Sequence, residues 1–289
     1  MCSSGHFWRP ILSEVLALGM YNVGMTIRTW LGLALALLAG PTAMAQCTRL
    51  VASGNPQYPP YLWRNPADPD QLMGANHELM QWLSREIGLP IELRYVGPWS
   101  RVQEEVRAGR VDLIAGAFFT LPRTEYMDYV QPPFRETRSV VLARERPPMR
   151  FTRWADLEGK DGLTVVNNSF GGEFDRFMRE RLKLTRVASL EQALRMLEIG
   201  RGDYLLYEDS PAQAYIASLN IKGLKELAPP VAQERLYLTL SHQSACNTPQ
   251  MRGQLTRAMY KLQREQRMDA FVERGVQAWK TSPSAPDVR

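Results

Sequence analysis

Arg123 is well suited to bind an anion, because its planar guanidinium presents a fork of donors that matches a carboxylate. A buried strand predicted at 111–115 runs into Gly116 and Ala117, two small residues whose backbone can approach a ligand closely. Thr120 and Arg123 follow, and we place them on the first turn of a helix, whose N-terminus adds positive potential. The alternative is a surface ion pair with an acidic neighbour, for which the sequence offers Glu125 and Asp128.

A second set of candidates lies on the proline-rich loop at 54–63, which carries three aromatic side chains. They are Tyr58, Tyr61 and Trp63. Prolines at 56, 59 and 60 fix φ and reduce the entropy lost when the loop is ordered. Aromatic side chains on such a loop are typical walls of a small-molecule pocket. The alternative is that they pack in the core.

The sequence lacks the motifs of metal, cofactor and nucleophilic chemistry. His77 and His242 are far apart, and the segment HELMQ lacks the second histidine of a zinc-binding helix. The segment NNSFGG resembles a nucleophile elbow only loosely, since Asn167 stands in place of the first glycine. We therefore expect no cofactor, no metal and no catalytic residue.

These residues are positioned by strands that alternate with helices, a pattern typical of mostly parallel sheets flanked by helices. The predicted strands are 48–53, 91–96, 111–115, 163–166, 204–207 and 236–240. The predicted helices are 76–88, 99–108, 173–181, 211–218, 248–264 and 268–280, with one more opened by Ser189 and its capping-box partner Gln192. The alternation pauses near 144–148, so we predict two α/β lobes. Ligands bind outside the carboxyl ends of strands in such sheets. Here those ends are followed by 54–63, 116–123, 167–172 and 207–211.

The beginning of the chain has the pattern of an export signal. Arg28 precedes an apolar run at 30–39, and Ala43-Met44-Ala45 supplies small residues before a cleavage point. The apolar run is about half the ~20 residues that span a bilayer. We therefore predict that 1–45 comprises an N-terminal extension and a signal peptide cleaved near Ala45, and that the mature protein is periplasmic.

Charge and cysteine content add two expectations. The net charge of the 289-residue chain is +5, but its Lys and Arg residues are scattered, whereas a nucleic-acid-binding protein needs a clustered basic face. We therefore predict no nucleic-acid partner. Cys47 and Cys246 are the cysteines left after the leader, and an oxidising compartment favours a disulfide between them. The alternative is two independent thiols.

The order of several segments resembles the family 3 periplasmic solute-binding proteins. The resembling segments are YPPY near the start, GANHEL, the run from Trp99 to Phe134 with DLIAGAFFTLPR, WADLEGKDGLTVV, and RGDYLLYEDSPAQAY. The resemblance covers essentially the whole chain after the leader and implies a two-lobed hinged clamp. It implies a first lobe of 46–140 and 236–289, a second lobe of 141–235, and two hinge crossings near 139–144 and 232–240. Cys47 and Cys246 then lie in the same lobe.

The resemblance also implies roles for site residues. Arg123 would bind the α-carboxylate of the ligand, Tyr58 would cover the ligand, and an acid of the second lobe would take its ammonium group. The DSP tripeptide favours Asp209 as that acid, whereas spacing from Asp203 favours Glu208, so both stay candidates. Asn168 and Ser169 would donate hydrogen bonds to the carboxylate. Two positions depart from the family pattern by replacing a small hydroxyl residue with an apolar wall, namely Phe118 and Phe170.

The implied function is the binding of a small polar solute, an amino acid or related carboxylate, by a monomer that delivers it to the membrane permease of an ABC importer. We expect no enzymatic activity. One alternative is a dehydratase-like enzyme on the same fold, with Glu208 or Asp209 as general acid. Another is a ligand-sensing partner of a membrane receptor.

Overall fold

The computed structural model describes residues 47–282, so the predicted signal peptide and the last seven residues lie outside the described part of the chain. The strands are β1 Leu50–Ser53, β2 Gln57–Tyr58, β3 Leu62–Arg64, β4 Leu72–Met73, β5 Ile91–Leu93, β6 Leu113–Phe118, β7 Met127–Arg144, β8 Asp161–Val165, β9 Lys183–Val187, β10 Tyr204–Glu208 and β11 Leu224–Ser241. The α-helices are α1 Ala75–Ile87, α2 Trp99–Arg107, α3 Gly172–Arg181, α4 Leu190–Glu198, α5 Asp209–Ser218, α6 Pro249–Arg264 and α7 Arg267–Thr281. Two short 3₁₀ helices cover Leu121–Glu125 and Trp154–Leu157.

The main sheet has eight strands in the order β5-β1-β6-β11-β7-β10-β8-β9. At one end β5, β1 and β6 are parallel, and at the other end β10, β8 and β9 are parallel. The long strands β7 and β11 lie antiparallel to each other and to their outer neighbours. We call β5-β1-β6 with its helices the first half, and β10-β8-β9 with its helices the second half. The predicted α/β architecture of mostly parallel sheets is confirmed.

A two-stranded ribbon connects the halves. β6 pairs with β11 at Leu236–Leu240, and β10 pairs with β7 at Ser139–Ala143. Residues 136–138 of β7 and 233–235 of β11 therefore pair only with each other. The chain thus crosses between the halves slightly earlier in β7 than the predicted 139–144, because 139–143 already form the inner edge of the second half. The predicted lobe boundaries at 140 and 235 lie within these two strands, and the division into lobes stays a prediction.

Local sequence explains where several helices begin and end. Ser189 caps α4 as predicted, because its side chain accepts a hydrogen bond from the backbone N–H of Gln192. α1 ends at Gly88, which adopts the left-handed conformation (φ 67°) that favours glycine at a helix C-terminus. Thr248 caps α6 in the same way as Ser189 caps α4.

The structure differs from the sequence-based expectation at three places. Arg123 lies in a single 3₁₀ turn that Thr120 precedes, rather than on the start of an α-helix, because β7 begins at Met127 and leaves no room for more. The proline-rich loop contains the small antiparallel sheet β2-β3-β4. The edge strand β9 was missed, since its polar sequence KLTRV lacks an apolar run.

Part of the hydrophobic core extends across both halves. One cluster of buried apolar side chains includes Leu79 and Leu113 of the first half and Leu194 and Leu205 of the second. The Cys47–Cys246 disulfide is present and joins the residues before β1 to the loop before α6, both in the first half. None of the helices between Cys47 and Ser282 has the length and apolar character that a bilayer span requires.

Candidate functional site

A small cavity lies between the two halves, where β1, β6, β8 and β10 end. Its volume is about 30 Å³. It is lined by Asn55, Tyr58, Trp99, Gly116, Ala117, Phe118, Arg123, Asn168, Glu208 and Leu236. The position matches the rule that ligands bind at the carboxyl ends of strands in open α/β sheets. We call it the central cavity.

Arg123 supplies a buried positive charge to the central cavity. Its side chain is 6 % exposed, and the 3₁₀ turn after β6 holds it in place. The guanidinium donates to the carbonyl oxygens of Phe118 (3.1 Å) and Asn167 (3.4 Å) and to Oε1 of Gln103 (3.3 Å). It also lies 5.3 Å from the ring centroid of Trp99. All these partners are neutral, and within residues 47–282 no carboxylate forms an ion pair with Arg123. A buried cation in this state favours an anionic ligand.

Glu208 supplies a carboxyl group to the same cavity. It is the last residue of β10 and is 1 % exposed. Asn168 Nδ2 donates to Oε1 at 3.5 Å, while Oε2 has no hydrogen-bond partner among the described residues. Burial raises the pKa of Glu208 to about 8. Ionised Glu208 would therefore be stabilised by a cationic donor, which the ammonium group of a ligand would provide.

The two halves touch each other directly around the cavity. The carbonyl oxygen of Asn167 in the second half accepts from Trp99 Nε1 (3.2 Å) as well as from Arg123. Asn55 Nδ2 donates to Tyr207 Oη at 3.3 Å. Because the cavity holds no more than about one or two water molecules, the halves must separate to admit a larger ligand. The structure therefore represents a closed arrangement.

Seven of the residues proposed from the sequence come together at the central cavity. They are Tyr58, Gly116, Ala117, Phe118, Arg123, Asn168 and Glu208. Gly116 adopts φ 115°, and Asn76 and Phe134 lie close to the position that a Cβ would take, so glycine is required there. Glu208 rather than Asp209 faces the cavity. Asp209 begins α5, and its Oδ2 accepts a hydrogen bond from Arg138 at 2.8 Å.

The other proposed residues do not line the cavity. Trp63 is fully buried against Trp279, and the Tyr61 ring packs 5.3 Å from Tyr58 as its support. Ser169 donates to Asp175 at the start of α3. The remaining two are Thr120, buried ahead of the 3₁₀ turn, and Phe170, packed on Phe174 in the core of the second half. The apolar wall expected at Phe170 is therefore absent, whereas Phe118 does line the cavity.

Sequence reasoning missed five residues that shape the site. Asn55, Trp99 and Leu236 line the cavity, and Gln103 and Asn167 hold Arg123. Asn55 and Asn167 lie in loops that the sequence analysis had selected because they follow strands. Their position in these loops was therefore the sequence feature that could have identified them as site residues. Asn167 has φ 60°, a conformation that asparagine tolerates better than most residues. No group of three or more His, Cys, Asp or Glu side chains in the described part of the chain is placed to hold a metal ion.

The fold, with its two halves linked by a ribbon, is that of the two-lobed periplasmic binding proteins. A mutant of ArgBP from T. maritima superposes with a TM-score of 0.67 at 16% identity, covering 80% of this chain and 96% of that one. AbpA of Streptococcus pneumoniae, an amino acid ABC transporter substrate-binding protein solved with L-arginine, superposes at 0.66 with 17% identity, covering 80% and 96%. A histidine kinase sensor domain similar to periplasmic binding proteins superposes at 0.66 with 22% identity, covering 78% and 95%. At these sequence identities, the structural similarity establishes the fold alone.

Residues 50–277 match the model of the bacterial extracellular solute-binding proteins, family 3. The chain belongs to this family. The resemblance seen in the sequence is thereby confirmed, and the family and the structural neighbours are binding proteins. A comparison with curated proteins gave no match.

Proposed function

We propose that this protein binds an α-amino acid, or a closely related zwitterion, in the central cavity and delivers it to a membrane importer. The observation that carries the proposal is the pairing of Arg123 and Glu208. A buried guanidinium with only neutral partners and a buried carboxyl group with an unpartnered oxygen line the same cavity. An α-amino acid presents a carboxylate and an ammonium group on the same carbon atom and satisfies both.

The remaining walls support a small ligand with a short apolar part. Tyr58 and Phe118 supply aromatic surface, and Leu236 supplies aliphatic surface. Asn168 already donates to Glu208 and has a second N–H for the ligand. The family consists of extracellular proteins, which supports export across the inner membrane and a periplasmic location.

The test is a thermal-shift screen of the ligand-stripped protein against amino acids, opines, dicarboxylates and aromatic acids, followed by calorimetry on each hit. A ligand at 100 times its Kd adds about 2.7 kcal/mol to the free energy of unfolding, which is readily seen as a rise in Tm. For each hit, two analogues are then compared, one without the carboxylate and one without the amine. We expect each deletion to lower the affinity by about 10- to 100-fold, because each removes charge-assisted hydrogen bonds.

Two variants assign the charges of the ligand to the two side chains. The Arg123→Met variant should bind the unmodified ligand as weakly as it binds the analogue without the carboxylate. The Glu208→Gln variant should bind the unmodified ligand as weakly as it binds the analogue without the amine. Arg107→Met is the matched control, because Arg107 also stacks on an aromatic ring, that of Tyr126, but lies on the exposed face of α2. Full affinity in Arg123→Met, or no amino-acid hit at all, would refute the proposal.

A further inference from the structure

A second and larger cavity opens between the two halves, outside the central cavity. Its volume is about 720 Å³, within the range of small-molecule sites. The first half contributes Gln57, Arg64 and Tyr95, and the second half contributes Ser189, Arg195 and Arg201. We call it the lateral groove. It shares no lining residue with the central cavity, and contacts of Tyr207 Oη with Asn55 and Gln57 lie between the two.

The lateral groove carries an excess of positive charge. Three guanidinium groups line it, those of Arg64, Arg195 and Arg201, against one carboxylate, that of Glu191. Arg64 donates to the carbonyl of Pro69 and lies 4.2 Å from the ring centroid of Tyr95, so its charge meets no acid there.

The two arginines of the second half are also available to a ligand. Arg195 is 49% exposed and meets Glu198 only at 3.5 Å, an exposed pair of small energetic value. The guanidinium of Arg201 makes no hydrogen bond or ion pair with any residue in the range 47–282, and only the backbone N–H of Arg201 is engaged, by the carbonyl of Met196. An anion entering the groove would therefore meet guanidinium donors without displacing a buried ion pair.

Apolar surface lies beside these charges. Ile199 is 65 % exposed, which is unusual for a large aliphatic side chain, and it lines the groove with Met196. Tyr95 presents its ring under Arg64, and Pro56 and Pro98 complete the wall. A site with a few cationic donors and this much apolar wall fits an organic anion better than an inorganic one.

Two backbone donors at the start of α4, those of Leu190 and Gln192, are already used within the protein. Ser189 Oγ accepts from Gln192, and the backbone N–H of Leu190 donates to Oε1 of Gln57 in the first half. The guanidinium groups therefore account for the anion preference of the groove.

We propose that the lateral groove is a second binding site, which takes a small organic anion with a carboxylate or phosphate group on an aromatic or aliphatic body. Both halves line the groove, so an occupant contacts both of them.

The experiment titrates the full protein with benzoate and with phenyl phosphate by calorimetry, with benzyl alcohol as the uncharged analogue. Arg201→Glu should weaken both anions by about 10-fold or more, because it removes a charge-assisted contact and adds repulsion. Arg179→Glu is the matched control, an equal change of charge at an exposed arginine on α3 of the same half. It should leave both affinities unchanged, and benzyl alcohol should bind more weakly than either anion.

Nuclear magnetic resonance locates the probe. Binding in the groove should shift the amide signals of 189–201 and the Nε–H signal of Arg64, and leave the indole signal of Trp99 in place. The proposal is overturned if neither anion binds at millimolar concentration, if Arg201→Glu binds both as the parent does, or if the Trp99 signal shifts in place of the groove signals.

Discussion

At the scale of single residues, Arg123 and Glu208 are two ionisable side chains whose burial is not balanced by protein partners. Arg123 binds three neutral oxygens, and one oxygen of Glu208 has no partner among the described residues. Buried polar groups are normally hydrogen-bonded and buried charges are normally paired, so the unpartnered oxygen of Glu208 and the unpaired charge of Arg123 each call for an explanation. A ligand with a carboxylate for Arg123 and an ammonium group for Glu208 explains both features.

The first prediction concerns the stability of Glu208→Gln as a function of pH. Burial raises the pKa of Glu208 from 4.5 to about 8, so the folded protein binds a proton that the unfolded chain releases between these values. The contribution to stability is therefore full below pH 4.5 and is lost as the pH rises through about 8. Without ligand, Glu208→Gln should match the parent near pH 4.5 and exceed it in free energy of unfolding, by a few kcal/mol, above pH 8.

Urea unfolding at the two pH values checks this prediction. Glu180→Gln is the control, because it makes the same chemical change at an exposed position on α3 and should leave the pH dependence unaltered. A constant difference between Glu208→Gln and its parent at both pH values would mean that Glu208 titrates normally.

At the scale of elements, the loop before α3 approaches the connecting ribbon too closely for a side chain. A Cβ on Gly171 would overlap Oε1 of Glu234 in β11, and Gly171 has φ 93°. The loop holding Asn167 and Asn168 at the central cavity therefore depends on glycine where it leads into α3.

The second prediction compares two neighbouring glycines. Gly171→Ala should destabilise the protein by about 1–3 kcal/mol, from backbone strain and from displacement of Glu234. Gly172→Ala should be neutral or stabilising by up to about 1 kcal/mol, because nothing lies within 4 Å of its Cβ position at the start of α3. Chemical denaturation of the two variants measures both values, and equal values would contradict the account of Gly171.

At the scale of the whole molecule, two kinds of link hold the chain together. The disulfide joins residues 199 positions apart within the first half, while hydrogen bonds from Trp99 and Arg123 to Asn167 join the two halves. The disulfide stabilises the protein chiefly by restricting the unfolded chain. The hydrogen bonds between the halves affect the equilibrium between closed and open arrangements.

The third prediction concerns the disulfide. Replacing Cys47 and Cys246 together by serine should lower the free energy of unfolding by about 4–5 kcal/mol in the chain-entropy model, because a loop of about 200 residues is no longer closed in the unfolded state. Urea denaturation of the double variant and the oxidised parent measures the difference. An unchanged midpoint would contradict the prediction.

The fourth prediction concerns closure. Trp99→Phe keeps an aromatic ring beside Arg123 but removes the hydrogen bond from Nε1 to Asn167, which is worth about 0.5–1.5 kcal/mol. The ligand-free population should shift toward open forms, seen as a larger radius of gyration in small-angle X-ray scattering. Trp154→Phe is the matched control, because its indole N–H donates to Val231 within the second half and does not bridge the halves. Equal radii for the two variants would show that the Trp99 contact does not hold the molecule closed.

Much of the fold and part of the site could be predicted from the sequence, because they depend on local patterns. Alternating apolar segments indicated most of β1, β6, β8 and β10 and the helices between them. The small residues at Gly116 and Ala117, followed by Arg123, indicated one side of the cavity. The edge strand β9 escaped notice, since its polar sequence carries no apolar pattern of its own.

By itself, the sequence determined the α/β succession and the candidate pairing of Cys47 with Cys246. Only the tertiary structure decided that Glu208, not Asp209, faces the cavity, because β10 ends at Glu208 and α5 turns Asp209 toward Arg138. It also brought the carbonyl of Asn167 to Trp99 across the two halves, and it formed the lateral groove from two distant segments, 56–98 and 188–215. These features depend on strand pairing and on how the halves meet, and contacts between distant segments leave no periodic signal in a single sequence.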